Sequence, residues 1–246
     1  MKEPNPNESL TFCRILENNA FAYLIAFALA YALKWHYSTA SPEQLAWALT
    51  PAAKLTEALF RIPFDFETGT GYICRERKII IAPACAGVNF MIMCFSISIF
   101  PFIHRFQKLT VRFAWFSASI AIAFVFATSV NAIRIFFSLY LFENDISGAW
   151  TDPGALHRIN GIVVYLAALY LLFTLLEKAA DALEGRCFAE RPGDRSTVPQ
   201  NGRKILLWMA PLVAYVFLTI IVPLLNKGAS RIDALFLEHC IMVASA

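Results

Sequence analysis

The stretch that decides the fold is "IIIAPACAGVNFMIMCFSISIF", residues 79–100. Three isoleucines, Ile79–Ile81, lead through Pro83 to Cys85 and into a segment that is apolar almost throughout. Crossing a bilayer takes roughly 20 apolar residues at about 1.5 Å of rise each, and Ala84–Ile103 supplies that length. The sequence thus sets a thiol, Cys85, at the mouth of an expected membrane helix. A packing cysteine sits more naturally inside such a segment, as Cys94 does.

Four further segments qualify or nearly qualify as spans: Ala20–Leu33, Phe113–Arg134 with an apolar continuation to Phe142, Ile159–Leu176 and Ile205–Leu225. The 246 residues are 58% hydrophobic and 16% charged, with a mean hydropathy of +0.56, well outside the usual range for a soluble domain. The expected fold class is all-α, a polytopic transmembrane helical bundle of about five spans. Trp35 and Tyr37, just behind the first span, suit an interfacial belt. The net charge of +3 is small and scattered, which argues against a nucleic-acid partner and leaves membrane lipid as the surrounding medium. Six irregularly spaced cysteines make neither a disulfide framework nor a zinc motif. No glycine-rich phosphate loop or dinucleotide fingerprint is present, so no cofactor or metal is expected.

Lysines and arginines set the orientation. With the N-terminus inside, segments 1–19, 104–112 and 177–204 face the cytoplasm and hold 11 of the 21 basic residues in a little over a third of the loop length. The loop "HRFQKLTVR", 104–112, has three basic and no acidic residues. The expectation is N-in and C-out, in the inner (plasma) membrane. "ALAYALKW", 28–35, offers Ala-x-Ala sites for a signal peptidase, while the weakly charged region before it favours an uncleaved anchor. Either case leaves residue 36 onward outside.

Between the first two spans lies an external segment of two parts. "SPEQLAWALTPAAKLTEALF" starts like a capped helix, with Ser41 as N-cap and Pro42, Glu43 and Gln44 in the first turn. Leu45, Leu49, Ala52, Leu55 and Leu59 give it one apolar face, suited to the membrane or to other helices. "FETGTGYICRERKIIIAP" is expected to form a short β-hairpin leading directly into Cys85. Residues 185–203 are rich in Gly, Pro and charge and have the composition of a linker. The chain divides into a membrane core, 1–176, a cytoplasmic linker, 177–204, and a fifth helix with a short outer tail, 205–246.

Three antiparallel spans deliver three polar residues to one depth. The second enters from outside at Cys85, the third reaches the outer surface near Asn131 and Arg134, and the fourth enters just after His157. Asn89 follows Cys85 by four residues, Asn131 precedes Arg134 by three, and Asn160 follows His157 by three, each a helix neighbour. Polar side chains in membrane helices are costly and face an interior or a pathway. A thiol is nucleophilic as thiolate, which a helix N-terminus and a nearby cation favour. Ala86 and Gly87 are expected to leave backbone N–H groups open near the sulfur. Arg134 can stabilise that thiolate or the oxyanion of a tetrahedral intermediate. His157 can take the thiol proton and return it to a leaving amine.

Taken singly, each residue has a plainer role: Cys85 packs, Arg134 snorkels to headgroups, His157 lies on the surface. Cys13 and Cys187 fall on the cytoplasmic side, Cys74 and Cys240 outside, where they can pair. A Cys74–Cys85 disulfide would contradict the nucleophile assignment. A zinc site at Cys85 and His157 lacks a third and fourth ligand at suitable spacing.

"PACAGVNF" (83–90), "SVNAIRIF" (129–136) and "LHRINGIV" (156–163) together resemble the three motifs of the exosortase/archaeosortase family. The resemblance covers roughly residues 20–176. It implies a multi-span inner-membrane cysteine protease or transpeptidase, with Cys85 as nucleophile, Arg134 as essential cation and His157 as acid and base. It implies exported protein substrates whose C-terminal tail carries a short motif, a membrane helix and a basic end. Ala86 stands where serine is commoner, and "VNF" follows the glycine, which suggests an exosortase K-like variant. The competing classes are a non-enzymatic scaffold or transport component for envelope or polysaccharide assembly, and an acyltransferase that loads Cys85 from a lipid donor.

Overall fold

The computed structural model describes residues 6–77, 79–106, 108–143 and 153–189, and for 6–18, 142–143, 153–158 and 185–189 the backbone alone. In chain order the elements are α1 (Pro6–Thr39), α2 (Ala46–Phe60), β1 (Asp65–Glu67), β2 (Gly71–Cys74), β3 (Ile79–Ile81), α3 (Val88–Ile99), α4 (Leu109–Glu143) and α5 (Pro153–Ala189). Short 3₁₀ turns at Pro83–Cys85 and Ile103–Arg105 flank α3.

The middle of the bundle is α3, for a reason visible in its composition. A helix apolar all round must be buried all round, and ten of the twelve residues of α3 are buried. Helices α1, α4 and α5 pack around it. Phe90, Met93, Cys94 and Ile97 meet Trp115 and Ala123 of α4 and Leu169 and Phe173 of α5 in one apolar core. Trp115 donates its indole N–H to the Ser98 carbonyl at 2.8 Å, satisfying a polar group at the end of α3.

Three segments among the described residues are long and apolar enough to cross a membrane: Pro83–Arg105, Leu109–Leu141 and Ile159–Glu184. They contain the expected second, third and fourth spans. The expected first, Ala20–Leu33, lies inside α1, a continuous helix that is not among these three. The expected fifth, Ile205–Leu225, lies outside the described residues, as does Cys240. Helix α4 has 35 residues, a length of about 52 Å that exceeds the roughly 30 Å hydrocarbon layer. Helix α5 runs unbroken past Leu176 to Ala189, so residues 177–189 continue the helix where a linker was expected.

The segment before Cys85 is richer than the expected hairpin. Strands β2 and β3 form that hairpin, and β1 adds a third antiparallel strand in the order β1-β2-β3. The extra turn falls in "TGTG", 68–71. Gly71 has φ +119, and a Cβ there would stand 2.5 Å from the Ile81 carbonyl oxygen, so only glycine lets β3 cross so closely.

Helix α2 begins later than the sequence suggests, at Ala46 with Leu45 at its N-cap and no side-chain cap, so Ser41 is not the cap. The Gln44 side chain accepts the Ser41 N–H at 2.9 Å while Ser41 Oγ faces the Gln44 N–H at 3.5 Å, closing a turn just ahead of the helix. Its buried face differs from the expected one, because Leu55 and Leu59 are exposed. Ala48, Ala52, Ala53 and Thr56 form the buried side with Leu45 and Leu49, since small side chains allow close approach. Trp47 stacks beside Phe124 and Phe60 beside Phe136, so α2 runs along α4 in the same direction. Tyr72 donates to Thr50 Oγ1 at 2.8 Å and fastens the sheet to α2. This second apolar cluster includes Ile79, Ile81, Ala86, Val88 and Ile135, and it closes over the cysteine turn.

Candidate functional site

Cys85 lies on a 3₁₀ turn and not on the following helix, which corrects the expectation of one helix from Ala84 onward. Pro83 presets the first turn residue, the Cys85 N–H donates to the Ala82 carbonyl at 2.8 Å, and the Ala86 N–H donates to that of Pro83 at 3.0 Å. The Ala86 N–H is therefore committed to the turn, where the sequence suggested an open donor. Gly87 then takes the left-handed conformation, φ +73, and caps α3. A Cβ at Gly87 would meet three Asn131 side-chain atoms at 2.8–3.0 Å. Glycine is thus required twice, by its backbone and by its neighbour. Cys85 itself is partly buried, beside Tyr37 in the second apolar cluster.

The three asparagines do different things. Asn131 is fully buried and donates from Nδ2 to the Cys85 carbonyl at 2.6 Å. Asn160 donates to Ser138 Oγ at 2.8 Å and to the Arg134 carbonyl at 3.3 Å, joining α5 to α4 one turn beyond the arginine. Asn89 is exposed and accepts from Lys34 Nζ at 2.7 Å, joining α3 to α1. The left-handed residue between Cys85 and α3 breaks the helical register, so Asn89 is not a same-face neighbour of the cysteine. Only Asn131 touches the cysteine turn.

Arg134 follows Asn131 by three residues and shares its face of α4. It is 9% exposed, and its Nη1 donates to the Tyr165 hydroxyl at 2.9 Å. The Tyr165 hydroxyl donates in turn to Asn131 Oδ1 at 2.7 Å. The Tyr165 ring stacks on Phe90 of α3 with centroids 4.2 Å apart and lies 5.3 Å from the Arg134 guanidinium carbon. A Cβ at Gly161 would stand 3.8 Å from Arg134 Cδ and Nε, so that glycine leaves α5 room beside the arginine. The backbone of α5 carries His157 one turn ahead of Gly161. The His157 side chain lies outside the described residues.

Tyr165 and Tyr37 were missed in the sequence because an aromatic residue in a membrane helix has no signature that separates a polar role from packing. Tyr37 lies past the end of the first apolar segment. Burial pushes its hydroxyl up, Cys85 and Tyr165 push it further and Arg134 pulls it down, which sets all three within electrostatic range of one group. Cys74 is buried in β2, and among the described residues no disulfide joins it to Cys85 or Cys94. Cys94 sits in the bundle core. No group of three or more His, Cys, Asp or Glu among the described residues stands where it could hold a metal ion.

A partly buried thiol on a rigid turn, with a buried cation linked to the same turn, is suited to nucleophilic attack on a carbonyl and to holding the charge that develops. A family model described as transmembrane exosortase matches residues 14–174, a range that contains every residue of this cluster. No curated protein and no solved structure matches the chain.

Proposed function

The chain belongs to the transmembrane exosortase family, and from that premise we propose that it is a membrane-embedded cysteine protease or transpeptidase acting at the outer face of the inner membrane. Its substrates are exported proteins with a C-terminal tail of motif, membrane helix and basic end. The observation that supports this most is the hydrogen-bonded link between the turn that carries Cys85 and the side chain of Arg134.

The tail helix docks laterally against the bundle, which sets its scissile peptide at the depth of Cys85. A shared membrane plane supplies much of the orientation that a soluble enzyme must build. Cys85 Sγ attacks the scissile carbonyl carbon as its proton passes to His157. Arg134 stabilises the thiolate or the oxyanion. Collapse of the intermediate breaks the C–N bond, and His157 returns the proton to the leaving amine. The thioester left on Cys85 is resolved by water or by an amine of an envelope acceptor. The sheet and α2 flank the docked tail and read the motif.

The test is processing of a tailed substrate in intact cells. Cys85→Ala is expected to abolish it, by about 10³-fold or more, with the protein still present and folded. Wild-type processing by Cys85→Ala would end the proposal and favour a scaffold. Acyl chains trapped on Cys85 in place of peptide would reassign it to lipid transfer.

A further inference from the structure

Tyr165 joins three elements at once. Its ring lies on Phe90 of α3, and its hydroxyl sits between Asn131 and Arg134, both on α4. The three hydrogen bonds run in one sense. Arg134 Nη1 donates to the Tyr165 oxygen, the Tyr165 O–H donates to Asn131 Oδ1, and Asn131 Nδ2 donates to the Cys85 carbonyl. Bonds aligned head to tail polarise one another. Here the chain starts on a guanidinium and ends on the peptide that follows the cysteine.

We infer that Tyr165 is a positioning residue that couples the orientation of Arg134 to the Cys85 turn through its hydroxyl, an inference that rests on Cys85 being the nucleophile. The amide of Asn131 has one donating and one accepting end, and both must be held for it to face the turn. Buried with 0% exposure, it has no water to replace a lost partner. Gly87 admits that amide by lacking a Cβ. Loss of the hydroxyl alone frees the accepting end of Asn131 and one arm of Arg134, while the ring continues to fill its place on Phe90.

The experiment separates hydroxyl from ring in the full chain, reconstituted in lipid nanodiscs. Labelling of Cys85 by a small charged maleimide, located by peptide mass, is followed against pH in wild type, Tyr165→Phe and Phe90→Leu, with thermal unfolding measured in parallel. Tyr165→Phe is expected to slow labelling at neutral pH by about three- to tenfold and move its pH midpoint upward, with unfolding unchanged. Phe90→Leu, which keeps the hydroxyl, is expected to lower the unfolding temperature more than it slows labelling.

A Tyr165→Phe protein with the wild-type profile overturns the coupling and leaves Cys85 as nucleophile intact. Equal slowing in Phe90→Leu, or slowing in Tyr165→Phe that tracks lost stability, makes Tyr165 a packing residue and also overturns it. Slow wild-type labelling with an ordinary thiol profile, midpoint near ~8.5, removes the nucleophile and the inference with it.

Discussion

The segment Pro83–Arg105 is linked to its neighbouring helices at both of its ends, and the links described there use different groups. At the far end, Arg105 is fastened by carboxylates: it donates to Glu184 at 2.9 and 2.6 Å and also to Asp181, both on α5. At the cysteine end, Arg134 donates to a neutral phenol, and the link passes through an amide to a backbone carbonyl. A guanidinium gripped by two carboxylates has its field neutralised at short range and serves as an anchor. The phenol of Tyr165 orients the Arg134 guanidinium by one hydrogen bond. In the proposed mechanism the same residue type anchors the bundle at one end and takes part in the chemistry at the other.

Swapping lysine into each end is the strongest way to break that contrast. Arg134→Lys loses the planar fork that reaches Tyr165 while keeping the charge. Substrate processing is expected to fall by about 10²-fold or more, with unfolding little changed. Arg105→Lys is expected to cost about 1–3 kcal/mol of stability and leave the chemistry per folded molecule unaltered. Comparable losses of activity from both, measured per folded protein, would erase the distinction.

Gly87→Ala sharpens the contrast from the backbone. The new methyl group meets Asn131 and forces a residue with a Cβ into a left-handed conformation. The expected cost is about 1–2 kcal/mol in chemical denaturation, with Cys85 labelling slowed as well. A fully wild-type protein would mean that Asn131 does not need to face the turn.

The smallest effect lies outside the spans, at Glu43. Its carboxyl is held below the usual range, first by the Ser41 side chain and then by the Gly69 N–H, which donates to Glu43 Oε1 at 2.6 Å. A depressed folded pKa contributes stability that is present above the unfolded value of about 4.3 and is lost as pH falls through the folded one. Proteolytic nicking near Gly69 is therefore expected to rise as pH drops below about 4 in wild type. Glu43→Gln, which has no such titration, is expected to show a flat response.

Hydropathy made three of the spans legible, since bilayer thickness sets a minimum length for any apolar helix. The turn at Ser41–Gln44 was legible because it is local chemistry, though the helix it was expected to cap starts only at Ala46. Cys85, Arg134 and His157 were set at one level by counting residues along antiparallel spans, and the His157 side chain lies outside the described residues. That count could not tell Asn131, which bonds the cysteine turn, from Asn89 and Asn160, which join helices. Nor could it foresee that Gly87 breaks the register between Cys85 and Asn89. The first strand was missed because three exposed residues, Asp65–Glu67, carry no alternation to detect.

What the sequence alone determined is the membrane class, the order of the helices and the polar residues at their ends. Each follows from local length and composition, because lipid penalises polar groups wherever they fall along the chain. What only the tertiary structure decided is which of those polar groups meet, and that Tyr165 joins them. Rotation of one helix about its axis and the lateral choice of neighbour depend on how side chains from distant segments fill space around α3. No single segment contains that information.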